Sequence, residues 1–291
     1  MNRVRRKIDI IYNEYANKDI TLIHIADIHF NKNTKYKKLI RLKENIIKNN
    51  PDYVVITGDL IDEPSITKDK NKIKELIFFL TSLSKYSKIL ISLGNHDIFK
   101  EEDYKFFRKI NDINNIYLLD NEYYKDEFIY ISGITLPSNY YYNIYHDESS
   151  DALINHLNQN RKLISRLPVN IPKIMLIHSP IKLIDNNVLE KLHDYDLLLS
   201  GHTHNGMVPN ILEKIIPDNY GIIAPNKKLF PRLARGKMEK YIKNHKITII
   251  INGGVTKLSL KSSKLLSSFN WLYDISINKI IITKKRGKKY E

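Results

Sequence analysis

Five short apolar runs in this chain each end on Asp, Asn or His, and that repetition constrains the fold more than any other feature. Residues 21–26 run into Asp27-Ile28-His29, and residues 53–57 into Gly58-Asp59. Residues 88–93 run into Gly94-Asn95-His96-Asp97, residues 173–177 into His178, and residues 196–200 into Gly201-His202-Thr203-His204. Near-continuous apolar runs of this length suit strands buried on both faces. In open α/β sheets, ligands bind beyond the carboxyl ends of the strands, so the five endings form one row of polar groups along one edge.

The surrounding pattern supports that architecture. Residues 36–49, 71–83 and 103–110 place apolar side chains at helical spacing between the early strands. Further strands are expected over 115–119, 128–134, 246–252, 272–277 and 279–283, giving a layered α/β domain over residues 1–291 with its core in 20–283. Residues 137–170 hold Tyr140, Tyr141, Tyr142 and Tyr145 and then a helix from about 150 to 167, and they form a candidate lid. Residues 206–246 read as a second long, Pro-punctuated, basic loop, and residues 284–291 as a basic tail.

The row of polar groups is a set of metal donors: Asp27, His29, Asp59, Asn95, His178, His202 and His204. Carboxylate, imidazole and carboxamide oxygens suit Mn, Fe, Zn or a similar divalent ion. Asp27/His29 and His202/His204 are i, i+2 pairs, which point the same way in extended chain. Seven donors exceed the need of one ion with open positions. They match two ions sharing a carboxylate, an arrangement that clamps both oxygens of an in-line displacement at phosphorus. Gly58, Gly94 and Gly201 would let the backbone turn sharply beside them.

In their order, the five motifs Asp-x-His, Gly-Asp, Gly-Asn-His-Asp, a lone His and Gly-His-Thr-His resemble the calcineurin-like metallophosphoesterases, over residues 27 to 204. The resemblance implies a four-layer α/β/β/α sandwich of two mixed β-sheets flanked by helices. It implies one metal on Asp27, His29, Asp59 and His204, and another on Asp59, Asn95, His178 and His202, with Asp59 bridging. A metal-bridging hydroxide would attack phosphorus, and His96 would protonate the leaving oxygen. A carboxylate at the place of Asp62 would orient the catalytic imidazole, a task open also to Asp97, whose alternative is to cap the next helix. After the last His motif, residues 223–231 and 252–255 are similar to small bacterial membrane-associated phosphohydrolases. The chain departs from them in reading Asn205-Gly206-Met207 where those commonly have Gly-Gly-Gln.

The expected activity is therefore hydrolysis of a phosphodiester, phosphomonoester or pyrophosphate, on a small or lipid-linked substrate, with two divalent ions, manganese first. Asn95, His96, Arg232 and Arg235 are the candidate substrate contacts. Two readings compete: a metal-dependent nuclease of the same superfamily, and an inactive phosphoesterase fold serving as a scaffold. Lys plus Arg number 47 against 32 Asp plus Glu, a net charge of +15, which favours polyanionic partners: an anionic membrane touched peripherally, or nucleic acid as the less favoured case. No obligate protein partner is evident. Cysteine is absent, which excludes disulfides and thiolate chemistry. Asp9, Asn13 and Glu14 interrupt the stretch after the basic first residues, and no run approaches the roughly 18 apolar residues of a membrane span. The expected location is the cytoplasm or the inner face of the membrane.

Overall fold

The computed structural model describes residues 3–62, 64–98, 101–137, 140–141, 150–224, 229–257 and 269–285. Among the described residues, twelve strands form two six-stranded sheets. The first sheet has the order β1-β12-β2-β3-β4-β5: β1 (Val4–Tyr12), β12 (Ile275–Thr283), β2 (Ile20–Ile25), β3 (Tyr53–Thr57), β4 (Lys88–Ser92) and β5 (Ile116–Leu118). The second has the order β10-β11-β9-β8-β7-β6: β10 (Gly236–Ile242), β11 (His245–Ile251), β9 (Leu197–Ser200), β8 (Lys173–Ile177), β7 (Tyr130–Ile134) and β6 (Glu122–Lys125). Strands β2 to β5 run parallel, as do β7, β8, β9 and β11. Both sheets are mixed, because β12 pairs antiparallel to β2, β10 to β11 and β6 to β7.

Alternation along each strand sorts side chains into the layers. In β3, Tyr53 and Val55 face the other sheet, while Val54 and Ile56 face helices. The inter-sheet core joins Leu22, Val55 and Leu90 to Ile131, Leu176, Leu199 and Ile250. Helices α1 (Tyr36–Ile47), α2 (Lys70–Ser84) and α3 (Glu101–Asn111) cover the outer face of the first sheet, with Leu39, Leu42, Leu76, Leu80 and Phe107 fully buried. Asp69 caps α2 by accepting from the backbone N–H groups of Asn71 and Lys72. Helices α4 (Ser150–Gln159) and α5 (Asn186–Lys191) cover the second sheet through Leu153, Leu157, Val188 and Leu189. This is the four-layer sandwich.

Several boundaries differ from expectation. Strand β1, polar and basic in sequence, was not foreseen, and it pairs with β12 from Val4↔Ile275 to Tyr12↔Thr283. The two strands expected at 272–277 and 279–283 are one, because Asn278 is not at a turn but buried in mid-strand. Its amide meets the Asn252 side chain at 2.6 Å and Asp9 at 3.4 Å. The basic 206–246 segment is not all loop. It ends in β10, joined to β11 by Lys243-Asn244, both at positive φ, the backbone of a tight hairpin. Of the lid region, α4 packs against the second sheet and ends at Gln159, short of the expected 167, while Tyr142, Tyr145 and the rest of 142–149 lie outside the described residues. Residues 286–291 of the basic tail also lie outside them.

His24 sits at the centre of this packing, fully buried on β2, with Nε2 2.8 Å from the Thr57 hydroxyl. Burial pushes its imidazole down to about 3, so the folded chain keeps it neutral while the unfolded chain protonates it near its ordinary value. This contribution to stability is complete above about pH 6.5 and is lost as pH falls toward 3. His24→Gln is expected to remove about 1.4 kcal/mol per pH unit from the acid-side slope of stability in that window. Urea unfolding of both proteins at several pH values between neutrality and acid checks this, and equal slopes would contradict it.

Candidate metal centre

The parallel strands deliver their carboxyl ends to one edge, and the two sheets meet there. The loop after β2 zips onto the loop after β3 through Asp27 N–H to the Gly58 carbonyl (3.1 Å) and His29 N–H to the Asp59 carbonyl (2.9 Å). Across the sheets, His178 Nδ1 lies 2.7 Å from the Thr57 carbonyl. The His202 N–H donates to both oxygens of Asp27 at 3.1 Å. Asp27, His29, Asp59, His202 and His204 all adopt positive φ. Such non-glycine conformations cost about 1–3 kcal/mol each and persist where surrounding structure enforces them, commonly at functional sites.

These turns bring six of the seven expected donors into two clusters. Asp27, His29 and His204 converge in one, and Asp59, His178 and His202 in the other. The Asp59 Oδ2 lies 3.2 Å from His178 Nε2 and 3.5 Å from His29 Nε2, so one carboxylate oxygen faces both clusters. The other oxygen accepts from the His96 N–H at 2.8 Å. The seventh donor, Asn95, is buried, and its Oδ1 has no hydrogen-bond partner among the described residues.

Electrostatics agree with a cation's place. Two imidazole nitrogens face each other in each cluster: His29 Nε2 and His204 Nε2 at 3.3 Å, and His202 Nδ1 and His178 Nε2 at 3.2 Å. Burial, then the neighbouring imidazole, pushes His202 down to about 3 and His204 well below its ordinary value. Burial opposes charge on His178 too, but Asp59 and then Asp27 outweigh it and raise that ring to about 9. Burial pushes Asp27 up to about 6. Buried acceptors aimed at one another need a positive charge between them, and protons on these groups compete with any metal. The far ring nitrogens are already fixed: His178 Nδ1 by the Thr57 carbonyl, His204 Nδ1 by the Thr256 carbonyl (3.0 Å) and His29 Nδ1 by the Asp62 carboxylate (3.1 Å). Such outer contacts orient imidazoles toward metals. The donor set therefore fits two divalent ions.

His96 stands at the edge of the pair, partly exposed, its ring edge-on to His29 at a centroid distance of 4.7 Å. Its Nδ1 is held at 2.7 Å by the backbone carbonyl of Asp62, while the Asp62 carboxylate reaches it only at 3.6 Å. Asp62 thus orients the imidazole through its main chain and gives its side chain to His29. Asp97 braces the turn instead: its carboxyl oxygens accept from Ile61 N–H (3.1 Å) and Gly94 N–H (2.9 Å). Arg235 is buried, and its guanidinium donates to the carbonyls of Glu213 and Ile216, bracing the loop after His204 rather than reaching toward substrate. Arg232 is exposed on a bridge with Tyr220.

Sequence reasoning missed two contributors, the backbone carbonyls of Thr57 and Thr256. Tyr141, from the Tyr-rich candidate lid, has its ring 5.3 Å from His202 and 5.9 Å from His178. Asn252-Gly253-Gly254, which follows the last long apolar run, was the available signal for Thr256. Thr256 N–H bonds the Asp27 carbonyl at 2.9 Å, and its hydroxyl bonds the Ile28 carbonyl at 2.8 Å.

A Cβ at Gly94 would stand 2.3 Å from Asp59 Oδ1 and 2.5 Å from Asp59 N. Gly94→Ala is expected to displace the shared carboxylate and lower bound manganese from about two ions per chain, measured by elemental analysis of the folded fraction. Full loading in the variant would contradict the shared-carboxylate geometry.

The chain is similar to several known proteins. The family model described as calcineurin-like phosphoesterase matches residues 20–206. A protein of Campylobacter jejuni described as an uncharacterized metallophosphoesterase is 29% identical over 66% of this chain and 46% of its own length. The uncharacterized metallophosphoesterase YkoQ of Bacillus subtilis is 28% identical over 66% of this chain and 64% of its own. The chain thus spans between about half and two thirds of these relatives' lengths. A crystal structure described as a dimetal phosphatase from Danio rerio covers 81% of this chain and 87% of its own, at 11% identity and a TM-score of 0.46.

Proposed function

Because the chain belongs to the calcineurin-like phosphoesterase family, we propose that it hydrolyses a phosphodiester, or a related monoester or pyrophosphate, of a small or lipid-linked substrate. The observation that carries this reading is the position of Asp59, one oxygen facing both donor clusters and the other tethering the His96 main chain. Manganese is the first candidate for both ions. When bound, they supply Lewis acidity toward phosphoryl oxygens and an activated water.

The protein's own groups divide the remaining work. Asn95 presents a buried carboxamide oxygen as a donor for the Asp59, His178 and His202 cluster. The Asp62 carbonyl accepts from His96 Nδ1, which leaves Nε2 as the ring atom that gives a proton to the departing oxygen. Water oxygen attacks phosphorus, the bond to the leaving oxygen breaks, the proton on His96 Nε2 passes to that oxygen, and a proton of the attacking water is released to solvent, from which the ring is reprotonated. Burial pushes the His96 imidazole down, while Asp59 opposes that push. The fixed ring orientation supports acid catalysis by one nitrogen at one place.

Turnover of bis(p-nitrophenyl) phosphate with added Mn²⁺ tests the reading. His96→Ala is expected to lower kcat by about 10²- to 10⁴-fold with metal content unchanged. Equal turnover in wild type and variant would remove His96 from the chemistry. Turnover in neither, with metal bound, would favour the scaffold reading.

A further inference from the structure

The segments that follow His204 carry several large apolar side chains on their surface. Ile211 is 81% exposed, Ile215 74%, Phe230 72%, Trp271 66% and Leu229 63%. Aliphatic and aromatic side chains of this size are normal singly on a surface, but a cluster marks an interaction site. Hydrogen bonds tie these segments into one loop cluster. Ile222 and Ile223 N–H both reach the Gly206 carbonyl, and Phe230 N–H bonds the Ile222 carbonyl. Asn210 N–H bonds the Leu272 carbonyl, and Asp274 N–H bonds the Asn210 side chain, which fixes Trp271 beside the turn carrying Ile211 and Ile215. Arg235 and Asn205 brace that turn from beneath, through Glu213 and Ile216.

Charge decides what this surface meets. Glu213 is turned inward to Arg5 and Asn205, and Asp218, itself exposed, is paired with Lys7. Lys214 and Arg232 remain on its exposed side, next to Ile211, Ile215, Leu229 and Phe230. Exposed apolar anchors flanked by unneutralised cations match the interface of an anionic bilayer, where apolar side chains enter the acyl boundary and lysines meet headgroups. The cluster begins at His204 itself, so the same loop that completes one donor group continues into this surface.

We propose that the loop cluster of residues 208–216, 220–223, 229–232 and 271–272 docks the protein on an anionic lipid surface, with Ile211, Ile215, Leu229, Phe230 and Trp271 as its apolar anchors. The inference deepens the reading of a lipid-linked substrate by naming the surface that would present the metal centre to it. Its readout is independent of turnover.

Trp271 is the only tryptophan of the chain, so its emission reports this surface alone. Full-length protein is titrated with vesicles of phosphatidylcholine and with vesicles containing phosphatidylglycerol. The expected result is a shift of Trp271 emission to shorter wavelength, and co-sedimentation, with anionic vesicles. Binding is expected to weaken about tenfold or more in Ile211→Ser/Ile215→Ser and in part in Lys214→Glu. Phe78→Ser, an exposed apolar residue on α2, is expected to leave binding unchanged. An unshifted Trp271 with anionic vesicles would overturn the proposal, as would unweakened binding in the double variant. So would a concentration-dependent shift without lipid, which would make a second copy of the chain the occupant, or an equal shift with single-stranded DNA. Hydrolysis of the soluble diester with no vesicle binding would sink this surface and leave the catalytic reading standing.

Discussion

Burying an isolated carboxylate is costly unless opposite charge and hydrogen bonds meet it. Asp59 is buried between His29, which follows β2, and His178, which follows β8 of the other sheet. Its other oxygen accepts the N–H of His96. The side chain is therefore tolerable only while both sheets, and the turn after β4, stand in their observed relation. Asp59 ties the fold to the site: the inter-sheet core of Leu22, Val55, Leu90, Leu176 and Leu199 sets the approach of the two edges, and the approach sets the distances around this carboxylate.

The cost of that convergence appears in the backbone. Asp27, His29, Asp59, His202 and His204 sit in the left-handed region, where L side chains are disfavoured. Interlocking main-chain bonds hold them there, from Asp27 to Gly58, from His29 to Asp59, and from Thr256 back to Asp27. Gly58 and Gly94 allow the turns to touch, since a Cβ at Gly58 would lie 2.7 Å from Gly94 Cα. Strain, close approach and outward-fixed imidazoles together hold the donors in one arrangement.

Much of this was legible in the sequence because it is local. A strand ending on Asp-x-His or Gly-Asn-His-Asp needs only its own residues to be recognised, and the parallel α/β rhythm then places all five endings on one edge. The failures involve partners distant in sequence. Val4–Tyr12 reads as a polar stretch until β12 pairs with it, and Asn278 reads as a turn until Asn252 and Asp9 satisfy its buried amide. Arg235 reads as a phosphate-gripping cation until the carbonyls of Glu213 and Ile216 take up its guanidinium. Asp62 differs from expectation in the manner of its contacts: its main-chain carbonyl meets His96, and its carboxylate meets His29.

The sequence by itself determined the chemistry available, since side-chain identity and strand-end position decide which donors can exist and on which edge. The family resemblance implied how they group, and tertiary structure decided the distances and the orientation of each ring. Nothing in the order of the motifs states that His29 and His204, 175 positions apart, bring their nitrogens to 3.3 Å, or that Thr57 and Thr256 fix ring orientation with carbonyls that every residue possesses. Main-chain acceptors leave no trace in residue identity. Their direction is set by strand register and the packing of two sheets, which are properties of the folded chain.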